Sequence, residues 1–461
     1  MRTSFDFFST PYSEIPTPGD QTANDSRRDL KDQRFVINLK NVLQIALEEL
    51  GYVICRVQKL FLSCSIDQEN KMATQKHSSK RRLWLTTAFL SGVAVILAAC
   101  SASETLPAPA APAPIVECPT VSIPTPVSFD DLWNSSAHAD EKNGKAGAFT
   151  HWDTTNPQEI PATCAQCHSR TGFLDFLGVD GTAPGVVDSP AKVGTRITCY
   201  VCHNEATLTL ESVTFPSGKR IGRLGPEARC ITCHQGRAST ETVNDAIAKV
   251  VLPNDDTPSA DLAFVNSHSI SGATSFGTEV QGAYEYAGKS YRGRFMRGTE
   301  FFTCIRCHDQ HSLQVNIEMC SECHTFDGKD AKNIRVNTTD FDGDGNTAEG
   351  AYYEIKQIDA DLYAAIQAYA RNVVRVPIAF NPDTHPYFFT DTNNNGVADS
   401  EEINSNNTYV NWTPRLLRAA YNHNYVSHDA GAFAHNSTYI IQVLYDSLSD
   451  IGGDTSRLSR P

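Results

Sequence analysis

Ten cysteines of this chain are committed to a single five-residue pattern, Cys-x-x-Cys-His. It occurs as Cys164-Ala-Gln-Cys167-His168, Cys199-Tyr-Val-Cys202-His203, Cys230-Ile-Thr-Cys233-His234, Cys304-Ile-Arg-Cys307-His308 and Cys320-Ser-Glu-Cys323-His324. With only 14 cysteines and 14 histidines among 461 residues, one chance match is expected on the order of once in a hundred such chains, so five intact copies are a design. The pattern excludes a generic cytosolic enzyme and an intrinsically disordered chain.

Cysteines at i and i+3 lie on one face of a helical turn, so both thiols can reach the two vinyl groups of one haem while the next residue faces the iron. Each motif histidine, His168, His203, His234, His308 and His324, is then a proximal axial ligand, and the thioethers hold the cofactor even where little protein surrounds it. Zinc is the alternative, because Cys-x-x-Cys pairs build tetrahedral sites. Five repeats supply fifteen ligands rather than sets of four, and histidine follows the second cysteine every time, which disfavours zinc. Disulfides within Cys-x-x-Cys loops would be short and strained. The motif starts are separated by 35, 31, 74 and 16 residues. Only eleven residues lie between His308 and Cys320, so the last two cofactors are expected nearly to touch.

Each iron then needs a sixth ligand. After Cys100 the only methionines are Met296 and Met319, too few for five irons, so histidine must dominate. Outside the motifs this region offers His138, His151, His268, His311, His385, His423, His428 and His435, three more than five positions require. His138, His151, His268 and His311 come from segments tied to the motifs and are assigned as distal ligands. His311 follows His308 by three residues, so a turn that points His308 at its own iron frees His311 for a neighbouring one. His435, after the compact run from Ala430 to Ala434, is the fifth choice, although any of His385, His423 and His428 could displace it. Those three, beside Pro386 or among polar residues, suit surface roles better.

At these motifs the chain resembles the multihaem c-type cytochromes of bacterial respiratory and extracellular electron transfer, particularly large acidic lipoproteins with bis-histidine haems. The resemblance covers about residues 128 to 461. It implies a multihaem cytochrome c fold organised by haem contacts rather than by a large apolar core: mostly coil, with short helices, a few short hairpins, little regular sheet and a helical C-terminal region. It also implies redox partner proteins or extracellular acceptors. The 362 residues from Cys100 onward give about 72 per haem, similar to extracellular cytochromes that stack into filaments, and the surplus histidines permit a homo-oligomer or filament without demanding one.

The first hundred residues read as a delivery segment. Lys80, Arg81 and Arg82 precede an apolar run from Leu83 to Ala99, closing on Leu97-Ala98-Ala99-Cys100. That is an export signal rather than a membrane span, since seventeen residues are at the lower limit for crossing a bilayer. The ending resembles a bacterial lipobox, which implies that Cys100 is acylated and tethers the mature protein at the envelope or cell surface. Met72 lies 28 residues before Cys100 and suits the start of such a signal, leaving residues 1 to 71, with Cys55 and Cys64, as an extension with no part in function. Residues 101 to 127 form a linker whose seven prolines favour extended polyproline II; Cys118 lies there without a motif partner. From Cys100 onward the chain carries 26 Lys and Arg against 43 Asp and Glu, an acidic body that excludes nucleic acid as a partner.

Residues 128 to 330 form the expected pentahaem region, with short hairpins at residues 212 to 221 and 284 to 291. Residues 331 to 461 form a helical region, with helical spacing around Asp359 to Val373 and Ile440 to Leu448. Within it, Asp391, Asn393, Asn395, Val397, Asp399 and Glu402 occupy positions 1, 3, 5, 7, 9 and 12 of an EF-hand-like calcium loop, with Gly396 at position 6. A second run, Asp340, Asp342, Asp344, Gly345, starts the same way but places Ala351 where the closing Glu belongs; Glu349 or Glu354 could substitute. The function expected from the whole is an electron relay through five haems, with no catalytic residue needed. The rival is a nitrite- or hydroxylamine-type multihaem oxidoreductase with one open iron, against which all five motifs end in His, where nitrite reductases usually carry one lysine. A purely adhesive surface lipoprotein would leave the motifs unexplained.

Overall fold

Residues 127–139, 148–297, 304–326 and 330–461 are described by the computed structural model. The delivery segment, Cys100 and the linker as far as residue 126 lie outside them. The described residues belong to one compact unit.

The first half is short helices joined by turns. They are α1 (Phe129–Asn134), α2 (Ala162–His168), α3 (Arg170–Phe176), α4 (Cys199–Cys202), α5 (Glu205–Leu208), α6 (Glu227–His234), α7 (Thr240–Ala248), α8 (Ser271–Phe276) and α9 (Cys304–Cys307). Local side chains start several of them. Ser128, Ser169, Asn204 and Ser239 cap α1, α3, α5 and α7 by accepting N–H groups of the first turn, and Thr242 completes a capping box at α7. Two antiparallel pairs are two residues long: β1 (Glu159–Ile160) with β2 (Ala191–Lys192), and β3 (Val213–Thr214) with β4 (Arg220–Ile221). The second pair is the hairpin expected at residues 212 to 221. The hairpin expected at 284 to 291 is not formed. Tyr284 N–H donates to the Asn422 side chain at 2.7 Å and Tyr286 N–H to the Tyr291 hydroxyl at 2.9 Å, so side chains take the backbone groups that a ladder would have used.

The C-terminal part adds α10 (Ala351–Tyr369), β5 (Ile378–Phe380), β6 (Phe388–Thr390), α11 (Pro414–Ser427) and α12 (Ala432–Asp450). On α10 the buried residues Ile355, Ile358, Leu362, Ile366 and Tyr369 follow each other at three- and four-residue steps and form one stripe. Thr413 caps α11 by accepting Leu416 N–H at 3.1 Å, with Pro414 at the first helical position. β5 and β6 pair antiparallel, Ala379 opposite Phe389. No helix among the described residues is long and apolar enough to cross a membrane.

The largest core joins both halves of the chain. Val243, Leu262, Ile270 and Tyr284 pack with Ile358, Leu362, Trp412, Leu416, Tyr421, Tyr439, Leu444 and their neighbours. The helical part has an ordinary apolar core to which both halves of the chain contribute. The motif-bearing half has only small clusters, such as Phe149, Phe173, Ile197 and Val201.

One buried amide in the core is paired at both ends. Asn422 is fully buried; it accepts from Tyr284 N–H and donates to Tyr284 O at 2.9 Å and to Ser447 Oγ at 2.8 Å. Replacing Asn422 by Ala strands these partners in a dry interior, where each unmade bond costs about 1–3 kcal/mol. Asn422→Ala is expected to lower stability by about 2–3 kcal/mol in denaturant unfolding, with the m-value unchanged; a loss well under 1 kcal/mol would show the clamp to be dispensable.

Candidate functional site

Each attachment motif folds as one helical turn. Motifs one to four lie on α2, α4, α6 and α9, and motif five on a 3₁₀ turn, Ile317–Glu322. The closing bond recurs: His203, His308 and His324 N–H each donate to the carbonyl of the motif's first cysteine at 2.9 Å. This turn puts the two thiols side by side with the histidine beyond them. All ten motif cysteines are free thiols.

All ten cysteines and all five motif histidines line one continuous cavity of about 2160 Å³. Single-ligand pockets run roughly 300–1,000 Å³, so this space suits several large ligands. His138, His268, His311 and His435 line it too, each from a different segment.

Three of these histidines face motif histidines. His203 and His311 have ring centroids 6.3 Å apart and planes within 2° of parallel; His234 and His138 lie 6.4 Å apart at 29°, and His168 and His268 5.8 Å apart at 38°. A metal–imidazole bond of about 2 Å on each side, plus a little over 1 Å from nitrogen to ring centre, places two rings on one metal roughly 6 Å apart. The three pairs therefore fit two imidazoles on one iron, and with the thiol pairs beside them the site fits haem c.

The rings are oriented through their other nitrogens. His168 Nδ1 lies against Ala148 O at 2.5 Å, His308 Nδ1 against Leu313 O at 3.2 Å and His234 Nδ1 against Ser269 Oγ at 3.3 Å. His435 Nδ1 is 2.8 Å from the buried Asp429 carboxylate. Each arrangement leaves Nε2 for a metal, because the partner at Nδ1 fixes the orientation and tautomer of the ring. Burial, then the neighbouring imidazole His138, pulls His234 down to about 4; burial and His168 do the same to His268. These rings are neutral at pH 7, the form that ligates.

Backbone devices place the cavity-lining histidines outside the motifs. The Asp309 carboxylate accepts N–H groups of His311 and Ser312 at 3.1 and 2.7 Å, fixing the turn that swings His311 toward His203, and Phe129 stacks on His311 at 4.6 Å. His268 has φ +49°, a left-handed conformation costing a β-carbon residue about 1–2 kcal/mol. It is held there because Arg237 N–H donates to Ser267 O and Gly236 N–H to Ser269 O, at 2.8 and 2.9 Å. Gly431 leaves room for His435, since a Cβ there would sit 2.6 Å from the ring.

The remaining histidines are placed otherwise. His151, also expected as a distal ligand, is exposed and outside the cavity lining; it meets Trp152 edge-on at 4.9 Å, and Trp152 meets His168 at 5.1 Å. His385 is exposed beside Tyr387, and half-buried His428 is bound to Asn424 O at 2.8 Å. His423 corrects the expected surface role. It is buried, its Nδ1 lies 2.8 Å from Asp359 Oδ1, and its ring stacks on Tyr363 at 4.9 Å. The polar neighbours that suggested exposure, Asn422 and Asn424, are themselves buried and hydrogen-bonded. Sequence reasoning also passed over α11, whose signal was Thr413-Pro414 ahead of an apolar run.

In the loop of residues 391 to 402, Asp391 accepts Asn395 and Gly396 N–H at 3.1 and 2.8 Å, Gly396 has φ +84°, and Glu402 accepts Thr392 N–H at 2.6 Å. Asn393 and Asn395 side chains both donate to Asp399, at 2.7 and 2.8 Å. Val397 is exposed at the loop tip. In the second loop Ala351 begins α10, and Glu354, one turn in, supplies the carboxylate: oxygens of Asp340, Asp342 and Glu354 lie within 4.8 Å of one another. Burial, with Glu354 adding its charge, pushes Asp342 up to about 7.

Paired thiols, following histidines and opposed imidazoles around one cavity define a class, the proteins that carry several covalently attached c-type haems. The relatives are of that class. The chain is 25% identical over 393 residues to the C-type polyheme cytochrome OmcB of Geobacter sulfurreducens, covering 68% of this chain and 47% of the relative. It is 28% identical over 387 residues to the C-type polyheme cytochrome OmcC of the same species, covering 70% and 46%. The chain thus spans about half the length of the curated relatives it matches. No protein-family model matches it, and no solved structure is similar to it. Site and relatives together support a multihaem c-type cytochrome.

Replacing His311 by Ala is expected to leave covalent haem content unchanged by mass while one low-spin ferric signal becomes high-spin. An unchanged spectrum would refute the pairing of His311 with His203.

Proposed function

We propose that this chain is an electron carrier relaying electrons through five covalently held, mainly bis-histidine haems at the cell envelope or outside the cell. The observation that carries the reading is that all five attachment turns and four further histidines open on one cavity. Haem, when bound, supplies a one-electron iron couple, which bis-histidine ligation sets at low potential. The chain's own residues attach it through thiols, orient imidazoles through Nδ1 partners and shield the rings with Phe149, Trp133 and Phe276, which also line the cavity. Electrons would pass to redox partner proteins or an extracellular acceptor, with Cys100 as the lipid anchor. An oxidoreductase of the nitrite or hydroxylamine type would need one open iron; the three opposed imidazole pairs speak against it at motifs one, two and three.

Two measurements test this. The mature protein is expected to carry five covalent haems by mass and, in electron paramagnetic resonance, low-spin irons insensitive to nitrite and hydroxylamine. Fewer haems would sink the attachment reading, and a high-spin iron that binds the added ligand would make the chain an enzyme.

Calcium is proposed for the loop of residues 391 to 402, as a structural clamp of the weak affinity common outside cells. Calcium near 1 mM is then expected to raise the unfolding temperature of the holoprotein by mass action, and Glu402→Gln to abolish most of that rise. No response to calcium or to a chelator would remove the ion from the account.

A further inference from the structure

Order along the chain is not the order in which the motifs meet. Motif three, on α6, is the element on which others converge. From motif one, Gln166 Nε2 donates to Thr232 O at 3.0 Å, and the Cys233 thiol lies 3.9 Å from Gln166 O. Motif two arrives from another direction: Cys202 and Cys233 flank the same apolar cluster of Phe149, Phe173, Ile197 and Val201. Motif four is seated by Glu227, the first residue of α6. Its buried carboxylate accepts Cys304 N–H at 2.6 Å and Ile305 N–H at 3.3 Å, and Glu227, Cys230 and Cys304 ligand atoms all lie within 4.8 Å of one another. Motif five follows directly on motif four: Asn316 N–H, just ahead of the turn of motif five, donates to Cys307 O at 2.8 Å, and His308 pairs with Val315.

The α6 backbone is built to serve all of these at once. Gly272 of α8 packs so closely on the end of α6 that a Cβ there would fall 2.7 Å from His234 O, which fixes the exit of motif three. Glu227 is 4% exposed, and its two oxygens answer two N–H groups at the open end of a four-residue helix, donors that such a helix cannot satisfy itself. It is a positioning residue: it holds the attachment turn of motif four against that of motif three.

We propose that motif three is the junction of the array. Cofactors attached at motifs one, two and four each neighbour the one at motif three, and the one at motif five connects through motif four. The branched arrangement rests on the haem reading above and goes beyond it, since a relay in chain order would satisfy that reading equally well.

The test is electron paramagnetic resonance of the fully oxidised holoprotein after each attachment pair is removed in turn, for example Cys230→Ala with Cys233→Ala. Mass confirms four remaining haems, and each missing signal identifies its motif. Because neighbouring paramagnetic irons alter each other's signals, removal at motif three is expected to change three of the four remaining signals. Removal at motif one or at motif two is expected to change that of motif three, and removal at motif five only that of motif four. A chain-order pattern, with two signals changed by removal at motif three and none at motif three by removal at motif one, overturns the junction. Glu227→Gln keeps every attachment pair and stands in where a deletion prevents folding. It is expected to weaken the coupling between motifs three and four alone, and unaltered coupling there overturns the role of Glu227. Wild-type protein with fewer than five haems would instead refute the haem reading itself.

Discussion

The constraint on which the motif-bearing half depends is that ten thiols and nine imidazoles are set around one cavity. Folded proteins pack at the density of organic crystals and tolerate few voids larger than a water. A cavity of about 2160 Å³, walled mostly by four- to eight-residue helices, departs from that rule, and ten thiols stand on its wall. Apolar clusters there are small, so the chain contributes turns and caps, and on the proposed haem reading the attached groups would take the part of a core. That division of labour also explains the two-residue strand pairs: with backbone ends satisfied by Ser, Asn and Asp side chains, no extended sheet is needed to hold the turns.

The C-terminal helices solve a different problem. α10, α11 and α12 bury an ordinary apolar core, but that core also takes in residues 238 to 291, the long stretch between motifs three and four. Asn422 grips the backbone of Tyr284, Tyr421 donates to Gly282 O at 2.6 Å, and Tyr439 donates to Glu285 at 2.9 Å. The stretch that carries His268 is thus anchored to the helices, and α12 brings His435 to the cavity from the same scaffold. The helical part acts as a frame that sets where two of the four cavity-lining histidines outside the motifs stand.

What could be read from the sequence follows the range of the interactions involved. The attachment turns were legible because two thiols and a histidine within five residues are a complete local device. His311 was legible for the same reason, its reach to another motif being set by a three-residue turn. The hairpin at residues 212 to 221 needs only its own turn, whereas residues 284 to 291 looked equally like a hairpin and instead give their backbone groups to Asn422 and Tyr291. The burial of His423 was hidden because it depends on Asp359 and Tyr363, sixty or more residues away. A polar neighbourhood in sequence carries no information about whether those polar groups find partners in space.

The same distinction bears on how ligands are supplied. A count of eight spare histidines for five irons suggests abundance, yet supply is decided by reach. His138, His268, His311 and His435 are brought to the cavity by a cap, a strained turn bracketed by two backbone bonds, an Asp-anchored turn and a glycine step. His423 is bound to Asp359, and His428 to the carbonyl of its own helix. His423, with Tyr363 stacked on its ring and Phe380 meeting it edge-on, sits within the core and does not line the cavity. The arrangement of segments around the cavity, rather than the number of imidazoles, therefore decides which histidines face one another.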